Sequence, residues 1–161
     1  MNKLEKLISK IATKSILLEM AFQRKEVISE ILSLSHKINE HLLYLILYPN
    51  HLAINHWKME ITGWLNGIGK MSLKPNNKRL DYETYFDSFT RYFDNNAKSY
   101  IINTSQDALS DEGEFEEYTI NNLPLNDILK RYLSFYKTIS KYFSENKSIN
   151  KEEVKNMINN F

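Results

Sequence analysis

Cysteine is absent from the 161 residues. Its absence removes disulfides, a thiolate nucleophile and every Cys-based zinc site from consideration. It fits a reducing cytosol, and a cytoplasmic, soluble protein is the expectation. Glycine and proline are nearly as scarce, at four and three. So few turn formers argue against an all-β fold. No apolar run exceeds the seven residues from Leu42 to Tyr48, whereas a membrane span needs about 20. The first twenty residues interleave Lys and Glu with apolar side chains. They lack the unbroken hydrophobic region and small-residue cleavage site of a signal peptide. No membrane role is therefore expected. Arginine is scarce as well, with 17 Lys to 4 Arg. Together with plentiful Asn and Ile, this is the bias of an AT-rich genome. It is compatible with a phage or mobile-element origin and is shared by many bacteria.

What is present is aromatic and charge-polarised. Ten Tyr and eight Phe should dominate the core. The net charge is +1, yet residues 1–80 carry 12 Lys/Arg against 6 Asp/Glu, and residues 81–161 carry 9 against 14. The two halves either attract each other or leave a polarised surface. The length suits one domain, residues 1–161, able to bury a core without staples.

Apolar residues recur at helical spacing through residues 2–48, from Leu4, Leu7, Ile8 and Ile11 to Ile38, Leu42 and Leu45, with no Pro or Gly before Pro49. One helix of that length would run about 70 Å, wider than a globule of this size, so a break is expected near Thr13–Ser15 or Gln23–Lys25. Pro49-Asn50 then turns the chain into a helical hairpin. Its second arm runs from about Leu52 to Gly67 on the stripe Ile54, Trp57, Ile61, Trp64, Leu65, Ile68, and Gly67 and Gly69 should end it. Asp81 is a good N-cap for the next helix. Residues 97–109 fit either a helix or an extended piece. Residues 110–122, with five acidic residues, read as an acidic loop. Pro124 opens a strong helix on the stripe Ile128, Tyr132, Tyr136, Ile139, Phe143. Asn150 and Glu153 suggest a capping box for a short last helix over 150–160. The sum is an all-α, irregular bundle of five or six helices.

Four groups of residues bear on function. The first is metal ligation. His36 with Glu40, and His56 with Glu60, stand four apart and could each offer an imidazole and a carboxylate. Around a hairpin centred near residue 50, Glu40 and Glu60 share a level. At about 100° per residue, however, His36 and Glu40 fall roughly 140–180° from the apolar stripe, and His56 roughly 120° from its own. Both pairs thus face solvent, and ordinary surface pairing is the simpler account. His41 flanks the stripe and should be the most buried of the four histidines. No metal and no cofactor is expected.

The second group is Tyr82, Tyr85, Phe86, Phe89, Tyr92 and Phe93, a face wide enough to bury two neighbours, or one neighbour and a partner protein. The third is basic: Lys3, Lys6, Lys10 and Lys14 on one side of the first helix, and Lys70, Lys74, Lys78 and Arg79 after the hairpin. Such clusters can meet phosphates, although no aromatic lies among the first four lysines to stack on bases. The fourth is Trp57 and Trp64, seven apart on one face. They suit a stacking platform or, more commonly, a core pair.

No phosphate-cradling Gly loop and no G-x-S-x-G occurs. No Arg precedes a His by four to six residues, as in helical ribonucleases. The acidic residues Glu112, Glu114, Glu116 and Glu117 cluster, unlike the spaced quartets of all-α nucleotide pyrophosphatases. Residues 40–61, EHLLYLILYPNHLAINHWKMEI, resemble the central stretch of the bacterial helical family called domain of unknown function twenty-nine. That family has a similar E-H-L-L run, then a Pro, then a Trp and a helix. The likeness covers 22 of 161 residues with the Trp offset by one. It implies an all-α fold and no known activity.

The expectation is a non-enzymatic interaction subunit, adaptor or inhibitor that binds another protein or its own copy. The alternative is a nucleic-acid-associated accessory subunit using the basic N-terminal half. A metal-dependent enzyme built on His36, Glu40, His56 and Glu60 comes third.

Overall fold

The computed structural model describes residues 2–73, 80–111 and 122–161. Six α-helices follow in order: α1 (Lys3–Leu47), α2 (Ile54–Ser72), α3 (Tyr82–Thr90), α4 (Ala97–Asp111), α5 (Leu125–Glu145) and α6 (Lys151–Asn159). No strand occurs among the described residues. The fold is all-α. With the 3-10 turn at Asn122 added to these six, the helix count is seven rather than five or six; α4 is a helix in its own right, started by Asn96, whose Oδ1 accepts the Ser99 N–H at 3.3 Å.

The largest departure from expectation is α1. It does not break near Thr13–Ser15 or Gln23–Lys25. It runs unbroken for 45 residues, about 68 Å. A full capping box starts it: Asn2 Oδ1 accepts the Glu5 N–H at 2.8 Å, and Glu5 Oε2 accepts the Asn2 N–H at 2.8 Å. Nothing in the sequence before Pro49 stops it. The width of the globule sets no limit, because the first half of α1 projects beyond it. From Asn2 to Glu26 every side chain of described burial is exposed. Packing begins near Arg24, whose Nη2 donates to Thr84 Oγ1 at 3.2 Å, and at Val27, which is buried.

From there the chain wraps its own stem. The hairpin about Pro49-Asn50 lays α2 against α1. α3 packs on α5 and α1, α4 on α1 and α5, and α6 on α2 and α5. Buried side chains from all six helices join in one cluster. Asp81 caps α3 as its type predicts, accepting the Thr84 N–H at 2.8 Å. Hydrogen bonds from the Thr84 hydroxyl and backbone hold its carboxyl below the usual range. Asn150 caps α6, but the reciprocal bond of a capping box is relayed. Tyr142 accepts the Asn150 N–H at 3.0 Å and donates to Glu153 Oε2 at 2.5 Å. Of the acidic stretch 110–122, Ser110 and Asp111 end α4. Its core, residues 112–121, lies outside the described residues.

α2 also outruns its expected end. It continues through Gly67 and Gly69 to Ser72. Gly69 serves close packing, not termination. A Cβ there would sit 2.5 Å from Ile149 Cγ1 and 3.4 Å from Ile149 Cβ, so the segment before α6 rests directly on the α2 backbone. Gly63 and Gly67 have open space at the same position. The three glycines should therefore respond with opposite signs. Gly69→Ala is expected to destabilise by about 1–3 kcal/mol through overpacking. Gly63→Ala and Gly67→Ala should each stabilise by about 0.5–1 kcal/mol through helix propensity. Urea unfolding of the three variants measures both effects, and a stabilised Gly69→Ala would contradict the packing argument.

Candidate functional site

The projecting half of α1 carries the most unusual surface. Leu4, Leu7, Ile8, Ile11, Ile16, Leu17, Leu18 and Phe22 are each 54–64% exposed. Single exposed apolar residues are ordinary, but Leu4, Leu7, Ile8, Ile11, Leu18 and Phe22 share one side of a bare helix and form a patch that monomeric proteins rarely leave in water. Helical geometry explains why the fold leaves them out. The row Leu4, Ile8, Ile11, Leu18, Phe22 lies about 180° around the axis from Val27, Ile31, Ile38, Leu42 and Leu45, which face the core. The apolar stripe changes sides along one continuous helix. Lys3, Lys6, Lys10 and Lys14 are exposed beside the row. Lys70 is exposed in the last turn of α2, and Lys74, Lys78 and Arg79 lie outside the described residues.

The histidines are arranged differently from the two expected pairs. His56 Nε2 does meet Glu60 Oε1, at 2.9 Å and four residues apart. His36 does not meet Glu40. Its Nδ1 contacts the Tyr100 hydroxyl at 3.0 Å, while Glu40 Oε1 accepts from the Tyr44 hydroxyl at 3.0 Å. Instead, His41 Nε2 reaches across the hairpin to Glu60 Oε2 at 2.5 Å. One carboxylate thus holds two imidazoles, one from α1 and one from α2. The His41 ring also stands edge-on to Trp64, with centroids 4.8 Å apart, and His51 stacks on buried Trp57 at 4.8 Å. The two tryptophans clasp the hairpin. Among the described residues, no group of three His, Cys, Asp or Glu is placed to hold a metal ion.

The aromatic face of α3 turns inward. Tyr85, Phe89 and Phe93 are buried, because α5 and α1 cover them from two sides. Phe89 stacks on Tyr136 at 5.0 Å and Tyr85 packs on Phe143 at 5.4 Å. Tyr82 and Phe86 are half-buried and stacked on each other. Of the six candidates for partner contact, Tyr92 alone is classed as exposed.

The centre of the bundle holds a polar cluster that residue types alone did not point to. Asn39 is fully buried on α1. Its backbone carbonyl accepts from the Tyr132 hydroxyl at 2.6 Å, and its Oδ1 accepts from the Tyr136 hydroxyl. Its Nδ2 donates to the Tyr100 hydroxyl at 3.1 Å. Every polar atom of the Asn39 side chain is engaged, as burial requires. The available signal was position: Asn39 and Ser35 sit among Ile31, Ile38 and Leu42 on the core side of α1. Burial pushes the Tyr132 and Tyr136 phenols well above their ordinary value and raises Tyr100 as well.

Beyond these groups, two open clefts indent the surface. One, of about 530 Å³, lies between Lys98 on α4 and Leu125 on α5. The other, of about 420 Å³, lies where Arg131 meets Phe161. There the guanidinium lies 4.6 Å above the Phe161 ring and donates to the Phe161 carbonyl at 2.8 Å, so its charge is already used. No helix among the described residues is long and apolar enough to cross a membrane. The chain matches no family model, no curated protein and no solved structure, which leaves the likeness at residues 40–61 resting on those residues.

Two outcomes follow for the buried cluster. Asn39→Leu strands the Tyr136 hydroxyl, while the Tyr100 hydroxyl keeps its contact with His36, and should cost about 1–3 kcal/mol. Tyr136→Phe in that background should recover part of the loss, which a double-mutant cycle in urea measures. The cluster also sets an alkaline limit. The unfolded chain releases phenol protons near pH 10, while the folded chain retains those of Tyr132 and Tyr136. The folded state therefore binds more protons above that pH, and stability falls as pH rises through it. Phenolate absorbance from these tyrosines should appear together with unfolding, and an alkaline titration without loss of helix would refute the assignment.

Proposed function

We propose that this chain is a non-enzymatic helical interaction subunit, an adaptor or inhibitor, whose contact element is the outer half of α1. The observation that carries this is the apolar row from Leu4 to Phe22, exposed on a helix that none of the described residues covers. Of the aromatic side chains at 82–93, Tyr85, Phe89 and Phe93 are used in the core and Tyr92 alone is exposed. The acid–base groups that come close are His41 and His56, each of which sets its Nε2 against the Glu60 carboxylate. An isolated helical arm of some twenty residues is marginal in water, so an arm retained with so many apolar positions gains its stability from what it touches.

The lysines support a second use of the same arm. Lys3, Lys6, Lys10 and Lys14 stand exposed along one side of it, where a phosphate backbone could lie. Salt separates the two readings. Binding to duplex DNA or RNA that drops steeply between about 50 and 200 mM salt favours the nucleic-acid subunit, whereas apolar docking through the row is nearly indifferent to salt.

The direct test is affinity capture from the native host with the wild-type chain and with an Ile11→Asp, Leu18→Asp double variant. A partner protein, or a second copy of the chain, should be retained by the wild type and reduced at least about 10-fold by the variant, as for loss of buried interface anchors. Retention of neither, or retention indifferent to the substitutions, would discard the arm as the contact element.

A further inference from the structure

We infer that the occupant of the α1 row is a second copy of the same row, paired in parallel and in register as a two-stranded coiled coil over residues 4–22. This rests on the reading of α1 as the contact element and goes further by naming what it meets. The spacing carries it. Leu4, Ile8, Ile11, Ser15, Leu18 and Phe22 follow one another at intervals of four, three, four, three and four. That is the alternation of the two seam positions of a heptad, kept through the whole projecting segment. A helix that merely lies on a lipid surface has no need of so narrow and regular a seam.

Three further observations favour a copy of this chain. The seam points away from the side of α1 that packs on the globule, and the same face stays exposed and polar from Lys25 through Ser29, Ser33 and His36. Two α1 helices can therefore run side by side as far as about Ser33; beyond it His36 meets Tyr100, and Leu43, Tyr44 and Leu47 on the same face are buried in the globule. Lys3, Lys6 and Lys10 occupy outer positions of the heptad, and Lys14 alone borders the seam, so like charges are kept apart. Finally, pairing the row with its copy removes roughly 1,200 Å² from water over both chains, the lower end of what a specific interface buries. Ile16 and Leu17 lie off the seam and stay outside it.

Ser15 decides the direction. In a parallel pair, its hydroxyl meets the hydroxyl of the partner's Ser15 and the two can hydrogen-bond. In an antiparallel pair centred on the same segment, each Ser15 would face Ile11 and its hydroxyl would bond only a carbonyl of its own helix, so the hydrogen bond across the seam is a gain of the parallel pair alone.

The chain has no cysteine, so one introduced thiol reports on its own neighbourhood. Sedimentation equilibrium of the full chain should show a monomer–dimer equilibrium with a dissociation constant on the order of micromolar, as a small interface gives. Under mild oxidation, Leu4→Cys should cross-link to itself at least 10-fold faster than Ser9→Cys, which points away from the seam. Ile11→Asp should weaken the dimer at least 10-fold and leave the thermal unfolding of the globule unchanged, since Ile11 touches none of it. A dimer without Leu4→Cys cross-linking overturns the parallel pairing. A dimer indifferent to Ile11→Asp overturns the seam. A chain that stays monomeric at hundreds of micromolar overturns self-association. If that monomer captures a different protein, or floats with vesicles of anionic phosphatidylglycerol, in an Ile11-dependent way, the row is a contact element for that protein or for lipid. If it does neither, the reading of α1 as a contact element falls too.

Discussion

The fold is pinned at Asn39. A single side chain, fully removed from water, takes a hydroxyl from Tyr136 and gives an N–H to Tyr100, while its backbone carbonyl takes the Tyr132 hydroxyl. Those bonds join α1, α4 and α5 at one level. Ring packing alone would tolerate several registers of α5 against α1, since Tyr, Phe and Ile at helical spacing fill similar volumes. A buried amide does not tolerate them, because a slip of one residue leaves several polar atoms unpaired in a low-dielectric interior. The aromatic stacks of Phe89 on Tyr136, and of Phe93 near Tyr132, then close around this level.

That fixed level divides α1 in two. Past it toward Leu47 the helix is enclosed, and the cross-hairpin pairing of His41 with Glu60 holds α2 to it. Before it, from about Arg24 outward, none of the described residues supports the helix. A helix normally ends where its burial ends, since propensity alone contributes little. This one continues for some twenty residues on good helix formers, a capping box at Asn2 and a fresh apolar row on the other side. The change of side is the informative feature. A stripe that merely continued the core face would suggest a globule with part of its cover missing. A stripe that starts again on the opposite face is not a continuation of the core.

The same change of side explains what the sequence could and could not disclose. Periodicity marked the hairpin, α5 and the short last helix, and residue type marked the caps Asp81 and Asn150, because those signals are local. The stripe of α1 shifting by half a turn resembles a break between two helices when each helix is assumed to bury one face. Only the absence of Gly and Pro before Pro49 spoke for continuity. The α3 aromatics were legible as a wide face but not as a covered one, since cover depends on where α5 returns. Glu60 was placed level with Glu40 by a hairpin centre near residue 50. The same centre puts His41 there as well, one residue on and turned toward the core, and that is the partner the structure uses. Asn39 was legible only as a polar residue among Ile and Leu.

The chemistry of the chain therefore divides by location. In the core, Asn39 is held by three tyrosines; at the surface of the globule, Glu60 meets two imidazoles and Arg131 meets the Phe161 ring and carbonyl. Outside, the arm of α1 offers surface and little chemistry: aliphatic side chains, lysines and one serine in the seam. Its apolar area is too large to be incidental and too regular to be a disordered tail. Rigidity is what the globule supplies to it, since a helix anchored through Asn39 presents its outer row in a fixed orientation and loses less conformational freedom on docking than a free peptide of the same sequence would.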